Sequence, residues 1–272
     1  MTQDWLTVER AEQPLVVSFP HTGTDIPAEL EPRFVSLWAA RRDADWWVDK
    51  LYDFAREIGA TTVRTAISRS VIDVNRDPSG ASLYPGQATT ELCPTTDFDG
   101  APLYQGGAAP DEAKIARRRE MYFVPYHAAL RAELDRLRKS HLCVVLFDAH
   151  SIRSRIPRLF EGELPQFNIG TNSGRSCADA LTGAVEDVCA ATRWSHVVNG
   201  RFKGGWTTRH YGAPEQGFHA VQLELACRGY MDEPDEPSPD NWPVPYSEER
   251  AGDMRVALRR ILDACLGFAR SG

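Results

Sequence analysis

The chain has 272 residues, 42% of them hydrophobic, and 31 basic against 38 acidic side chains give it a formal net charge of −7. That length and apolar content suffice for a single domain spanning residues 1–272. The acidic balance excludes a general nucleic-acid surface, and no apolar run approaches the roughly 18 residues of a membrane-spanning helix.

Residues 14–19 read as a short buried strand that stops at the turn Pro20-His21-Thr22-Gly23. The spacing of Trp47, Leu51, Phe54 and Ile58 predicts a helix over 43–58, with Asp43 as its cap and Gly59 as its end. Residues 61–67 are rich in β-branched side chains and predict a second strand, so the alternation is that of an α/β protein with a central mixed, largely parallel sheet flanked by helices. The Pro-, Gly- and Asp-rich stretch 68–107 predicts a long ordered excursion of the kind that carries function.

A helix is expected over 111–139, kinked or divided by Pro125 after Phe123. It leads into the apolar run from Cys143 to Phe147, which ends in Asp148 and His150. Residues 158–174 read as irregular, 177–192 as a helix, and 197–199 as the start of a short strand. The Gly-rich segment 199–212 predicts a loop that positions charges, and 219–225 a strand with Glu224 on one face. The Pro-rich acidic segment 232–246 predicts an exposed connection before a closing helix over 247–269. Six cysteines at 93, 143, 177, 189, 227 and 265, with no Cys-x-x-Cys pair, fit reduced core residues better than disulfides or a thiolate zinc site. No basic-then-apolar leader opens the sequence, so the expected compartment is the cytoplasm.

Two histidines, His21 and His150, each follow an apolar strand, which places them on one rim of a parallel sheet. Zinc hydrolases use histidine and carboxylate ligands and keep one position open. Asp25 and Asp45 are both candidates for the carboxylate, and Asp148 is placed to orient His150 from behind. A lone histidine at a turn more often bonds to backbone; two at matching positions favour a shared site. Glu224 is a candidate general base, its alternative being a structural salt bridge to Arg228. Arg69, Arg76, Arg153, Arg201, Lys203 and Arg209 cluster in the polar excursions, where guanidinium forks suit a carboxylate ligand. Asp73 and Asn75 stand ready to fix Arg76, or Asp73 merely caps a turn. Ser151 lacks a Gly-x-Ser-x-Gly elbow and makes a poor nucleophile candidate.

Residues 18–23 (Ser-Phe-Pro-His-Thr-Gly), 68–78 (Ser-Arg-Ser-Val-Ile-Asp-Val-Asn-Arg-Asp-Pro), 82–86 (Ser-Leu-Tyr-Pro-Gly), 147–151 (Phe-Asp-Ala-His-Ser), 199–206 (Asn-Gly-Arg-Phe-Lys-Gly-Gly-Trp) and 219–224 (His-Ala-Val-Gln-Leu-Glu) resemble the N-formylglutamate amidohydrolase family in order and across about 14–260. The resemblance implies hydrolysis of N-formyl-L-glutamate to formate and L-glutamate in histidine degradation, on a fold like that of the zinc-dependent exopeptidases. Aspartoacylase-like relatives also pair a His-Gly, an Asp-x-Asn-Arg and a later Asp-x-His segment, matching His21, Asp73 to Arg76 and Asp148 to His150. They place Glu three residues after the first histidine, where this chain has Thr24. Amidase-like relatives begin the first helix with the acidic ligand, which selects Asp45.

The implied site is therefore a zinc ion, or another divalent metal such as Co2+ or Mn2+, on His21, Asp45 and His150. Glu224 shuttles the proton, while Asp73 and Asp148 support from behind. Arg76 grips the substrate carboxylates, with Asn75 and with Arg69 or Arg209 assisting. The expected partner is a small acidic N-acyl amino acid, with no nucleic acid or membrane. The alternatives are an amidohydrolase for another N-acyl acidic amino acid and a non-catalytic binder of acidic metabolites.

Overall fold

A computed structural model describes residues 4–83 and 86–271. Seven strands form one sheet: β1 (Leu6–Glu9), β2 (Leu15–Phe19), β3 (Thr61–Thr65), β4 (Val144–Ile152), β5 (Phe167–Gly170), β6 (His196–Val198) and β7 (Phe218–Ala226), in the order β1-β3-β2-β4-β7-β5-β6. The four central strands β3, β2, β4 and β7 run parallel. β1 pairs antiparallel with β3, and β5 runs antiparallel to β7 with β6 parallel beside it. The sheet is thus mixed with a parallel centre, as the sequence predicts.

Alternation divides each strand between two faces. On one face Val17, Val145, Phe147, Val221 and Leu223 pack against α5 (Asp179–Ala190) and the closing helix α7 (Glu248–Ser271). α7 supplies Met254, Leu258, Ile261, Leu262, Cys265 and Leu266, all buried at helical spacing. On the other face the strands begin apolar, with Val16, Val144, Leu146 and Ala220 gathered with Leu130, Leu134 and Leu137 of α4 (Val124–Arg138). Each such buried aliphatic side chain stabilises the fold by roughly 1.5–3 kcal/mol relative to exposure. Further along the strands the same face turns polar, at Ser18, Asp148, His150, Gln222 and Glu224, all still buried.

Helix α3 (Glu112–Arg118) runs into α4 through a π-helical turn at Arg119–Phe123. Pro125 lacks an N–H and its ring crowds the preceding turn, so the expected interruption falls where the ladder widens. The expected helix over 43–58 does not form as one piece. Asp45 donates its backbone N–H to His21 O (2.9 Å) and Trp47 adopts a left-handed φ of 63°. Only α2 (Val48–Leu51) and a 3-10 turn at Asp53–Arg56 follow, after a short α1 (Leu37–Arg41). Gly59 does end this region, with φ 78°. Asp43 is not its cap, since Asp43 Oδ2 accepts from Phe98 N (2.7 Å).

β4 does not stop at Asp148 but continues to Ile152, because β7 pairs with it as far as Ile152 and Ala226. β5 lies inside the stretch expected to be irregular, and α6 (Trp206–Tyr211) inside the expected loop. The 232–246 segment is not simply exposed. Trp242 is buried and donates Nε1 to Arg42 O (2.8 Å), and Val244 O accepts from Trp47 Nε1 (2.8 Å). The segment therefore clamps the turn that carries Asp45. All six cysteines are free and buried, and no helix among the described residues is long and apolar enough to cross a membrane. Tyr84 and Pro85 of the 82–86 motif lie outside the described residues.

His127 of α4 is buried with Nε2 on Val74 O (2.7 Å) and Nδ1 on Tyr211 Oη (3.0 Å). Burial depresses its pKa from 6.5 to about 3, with the Val74 carbonyl opposing. A lowered histidine pKa means that the unfolded chain binds the proton first. The stability it confers is present above pH 6.5 and is lost as pH falls from there toward 3. Between pH 7 and pH 4 this should amount to about 3 kcal/mol. Urea unfolding of wild type and His127→Gln across that range should give converging curves; parallel curves would show that His127 does not titrate as described.

Candidate functional site

The polar half of the sheet face and the loop after β3 build one buried cluster. His21 leaves the end of β2, His150 lies in β4, and Asp45 sits on the turn held to His21 O. One ligand atom from each of these three residues can be chosen so that all lie within 4.8 Å of one another. Asp45 Oδ2 is 2.9 Å from His150 Nδ1 and 3.6 Å from His21 Nδ1. Asp25, the other carboxylate candidate, is exposed and pairs through its backbone with Ile67.

The far nitrogen of each imidazole meets another carboxylate. His21 Nε2 is 2.6 Å from Asp73 Oδ1, and His150 Nε2 is 3.0 Å from Asp148 Oδ2. Such backing aims the Nε2 side of each ring at a carboxylate and turns Nδ1 toward Asp45. Asp148 is itself held by Ser18 Oγ (2.7 Å) and Asn75 Nδ2 (2.9 Å), and Ser18 Oγ also meets Tyr126 Oη (3.1 Å). Asp73 Oδ1 accepts the Asn75 backbone N–H (2.9 Å), while Asp73 Oδ2 takes Arg69 Nη2 (2.7 Å).

These residues fit a divalent cation on electrostatic grounds. Asp45, Asp73, Asp148 and Glu224 are buried together against the guanidiniums of Arg69 and Arg76. Among the described residues neither His21 Nδ1 nor Asp45 Oδ1 has a hydrogen-bond partner. Buried polar atoms left without a hydrogen bond are costly; Asp45 Oδ1 has only the Arg69 guanidinium at 3.6 Å, and a cation beside His21 and Asp45 would satisfy both atoms. Burial opposes charge on His150, but Asp148 and Asp45 outweigh it and hold its pKa well above the usual histidine value. Burial would raise Asp45, yet His21 and His150 hold it low; for Asp73 the opposing groups are Arg76, His21 and Arg69.

Glu224 stands opposite His150 in the β4–β7 register, and Gln222 opposite Asp148. Gln222 Nε2 donates to Glu224 Oε2 (3.3 Å), and Gln222 Oε1 accepts Gly205 N (2.7 Å). Burial pushes Glu224 up to about 8, with His150 opposing and Asp45 reinforcing. A carboxyl poised there takes up and releases a proton near neutrality. The alternative salt bridge does not form, because Arg228 is engaged with Glu163 Oε1 (3.2 Å) and Leu164 O (2.7 Å). Ser151 lies on the opposite face of β4 from His150, where its Oγ accepts from Tyr230 Oη (2.8 Å).

The cluster opens on a cleft of about 580 Å³ including its mouth, lined on the polar side by His21, His150, Glu224, Asn75 and Arg76. Arg69 also reaches it but pairs with Asp73 and, at 3.6 Å, with Asp45. Arg209 is not among the lining residues. It lies on α6, which begins at Trp206, and its Nε donates back to Gly204 O (2.9 Å). Arg201, another arginine of the same loop cluster, does line the cleft. Arg153 is paired with Asp99 (2.8 Å). Gln222 was legible as the residue two before Glu224 on the same strand face; Arg201 was visible only as one of several loop arginines.

The profile of the N-formylglutamate amidohydrolase family matches residues 13–231. Two curated relatives, N-formylglutamate deformylases of Pseudomonas aeruginosa and Pseudomonas putida, are each 46% identical over 97% of this chain, covering 97% and 96% of their own lengths. A solved N-formylglutamate amidohydrolase from Ralstonia eutropha shares the fold at a TM-score of 0.78 and 23% identity, over 97% of each chain. A protein of Agrobacterium tumefaciens follows at 0.71 and 18%, over 97% of this chain and 96% of its own. With its profile match and near full-length similarity, the chain belongs to the N-formylglutamate amidohydrolase family.

Proposed function

We propose that this protein hydrolyses N-formyl-L-glutamate to formate and L-glutamate with the help of a divalent metal ion, zinc first among the candidates. The observation that carries the reading is the His21–Asp45–His150 cluster, its donors within 4.8 Å of one another, opening on a cleft that also holds Glu224 and arginines. Full-length similarity to N-formylglutamate deformylases supports the substrate. The carboxylates behind both imidazoles support kinship with the zinc-dependent exopeptidases.

A cation held by His21, Asp45 and His150 would supply Lewis acidity, lowering the pKa of a water and polarising the formyl oxygen. Glu224 takes the proton from the attacking water onto its carboxylate as the new C–O bond forms. It then delivers that proton to the amide nitrogen as the C–N bond breaks, releasing formate and the free amine. Asp73 and Asp148 keep the imidazoles in one tautomer and orientation. Arg76 binds a substrate carboxylate from the cleft wall, and Asn75 ties this wall to Asp148 and His150. Holding the non-reacting end of the substrate converts binding energy into alignment of the small formyl group. Arg69 acts on Asp73 and Asp45 and so positions the centre rather than the substrate. A place in histidine degradation and a cytoplasmic location belong to the same proposal; six free buried cysteines accord with a reducing compartment.

Formate release from N-formyl-L-glutamate should disappear on chelation and return when zinc, cobalt or manganese is restored; turnover that ignores chelation sinks the metal reading. Asp45→Asn should lose bound metal by elemental analysis while Asp25→Asn keeps it. Glu224→Gln should retain metal and lose about 100- to 10,000-fold in kcat. Loss of metal from that variant would move Glu224 from proton carrier to ligand. A panel of other N-acyl acidic amino acids, read as formate, acetate and free amine, separates the proposed substrate from close relatives.

A further inference from the structure

Two arginines that line the cleft are held by one strip of backbone. Arg76 donates Nε to Thr90 O (3.1 Å) and Nη2 to Thr90 Oγ1 (3.0 Å). Arg201 donates Nη2 to Ala88 O (2.9 Å) and Nε to Leu159 O (2.7 Å). Ala88, Thr90 and both arginines line the same cleft. The 88–90 strip is thus a shared mount that sets the separation of two guanidiniums before any ligand arrives, which lowers the ordering cost of binding. Arg69 differs in being held by two carboxylates of the buried cluster, Asp73 at 2.7 Å and Asp45 at 3.6 Å, rather than by this strip. Among the described residues lining the cleft Glu224 is the one carboxylate, so the remainder of the wall is suited to anions.

The two mounted arginines are not equivalent. Arg76 adjoins Asn75, whose Nδ2 is 2.9 Å from His150 Nε2, and its Nη1 is 3.6 Å from Asp73 Oδ2. Arg201 is instead carried on the loop after β6 and pinned to Leu159 O. Phe202, Leu159 and Ile152 give the cleft an apolar wall. In an N-formyl dicarboxylic amino acid the α-carboxylate shares a carbon with the scissile nitrogen, so it must lie beside the metal cluster. The side-chain carboxylate is set off from it by methylenes.

We propose that Arg201 determines specificity by binding the side-chain carboxylate of the substrate, while Arg76 takes the α-carboxylate and the apolar wall covers the methylenes between them. This rests on the reading of the protein as an N-formyl-L-glutamate hydrolase. It makes the enzyme a reader of two carboxylates rather than of acidic ligands in general. A bidentate guanidinium on a carboxylate discriminates against the neutral amide, which cannot offer two acceptors.

The test compares N-formyl-L-glutamate with N-formyl-L-glutamine, which differ only in the side-chain carboxylate. Arg201→Gln should lower kcat/KM for N-formyl-L-glutamate about 10- to 100-fold, mainly through KM, with a loss at least tenfold smaller for N-formyl-L-glutamine. Arg201→Lys, which keeps the charge, should recover part of the preference, and it serves equally if the glutamine variant does not fold. Arg209→Gln should leave the ratio of the two substrates at its wild-type value. Equal losses on both substrates, or no loss on either, would overturn the proposal. If the wild type turns over neither, the parent reading fails instead. Calorimetric binding of the same two compounds to wild type and Arg201→Lys then still decides whether Arg201 reads the carboxylate.

Discussion

The register between β4 and β7 is the constraint on which the rest of the site depends. Because side chains alternate, pairing His150 with Glu224 also pairs Asp148 with Gln222 and puts all four on one face. β2 adds Ser18 opposite Asp148, and the turn after it delivers His21. A slip of one residue would carry the polar set into the core beneath α5 and α7, where Phe147, Val221 and Leu223 now pack. The apolar half of each strand therefore fixes the chemistry of the other half.

Burial then makes the electrostatics demanding. Asp45, Asp73, Asp148, Glu224, His21 and His150 are all under 10% exposed, so each charge must be answered nearby. Carboxylates occupy the Nε2 side of both imidazoles and Asp45 the other, a donor set with neither Asp45 Oδ1 nor His21 Nδ1 satisfied from within the described residues. Burial pushes all three carboxylates up; it prevails at Glu224, while His21 and His150 hold Asp45 low and Arg76, His21 and Arg69 hold Asp73 low. One low-dielectric pocket thus keeps Asp45 and Asp73 charged while Glu224 is drawn toward neutrality.

The turn carrying Asp45 shows how distant segments contribute. Trp47 keeps a left-handed backbone, costly for a bulky residue, and its indole is tied to Val244 O. Trp242 grips Arg42 O from the same strap. Helical spacing in 43–58 was real in that Leu51 and Phe54 are buried, yet the bond from Asp45 N to His21 O diverts the chain before a long helix can form. Local periodicity lost to a tertiary hydrogen bond at the residue that matters most.

Much of the fold was legible because it repeats a period. The apolar runs of β2, β4 and β7 and the 3.6-residue spacing of α7 are written in consecutive residues, and so are the histidines that follow or interrupt them. β1, half-buried at the sheet edge, and α6, six residues long, carry too little local signal to stand alone. By itself the sequence determined the α/β class, the sheet's parallel centre and the pairing of His21, His150 and Glu224 with one rim. Only the tertiary structure set Asp45 rather than Asp25 beside the two histidines, put Arg201 rather than Arg209 on the cleft wall, and packed 232–246 against the turn that carries Asp45. Those choices depend on hydrogen bonds between residues tens to hundreds of positions apart, which no local pattern encodes.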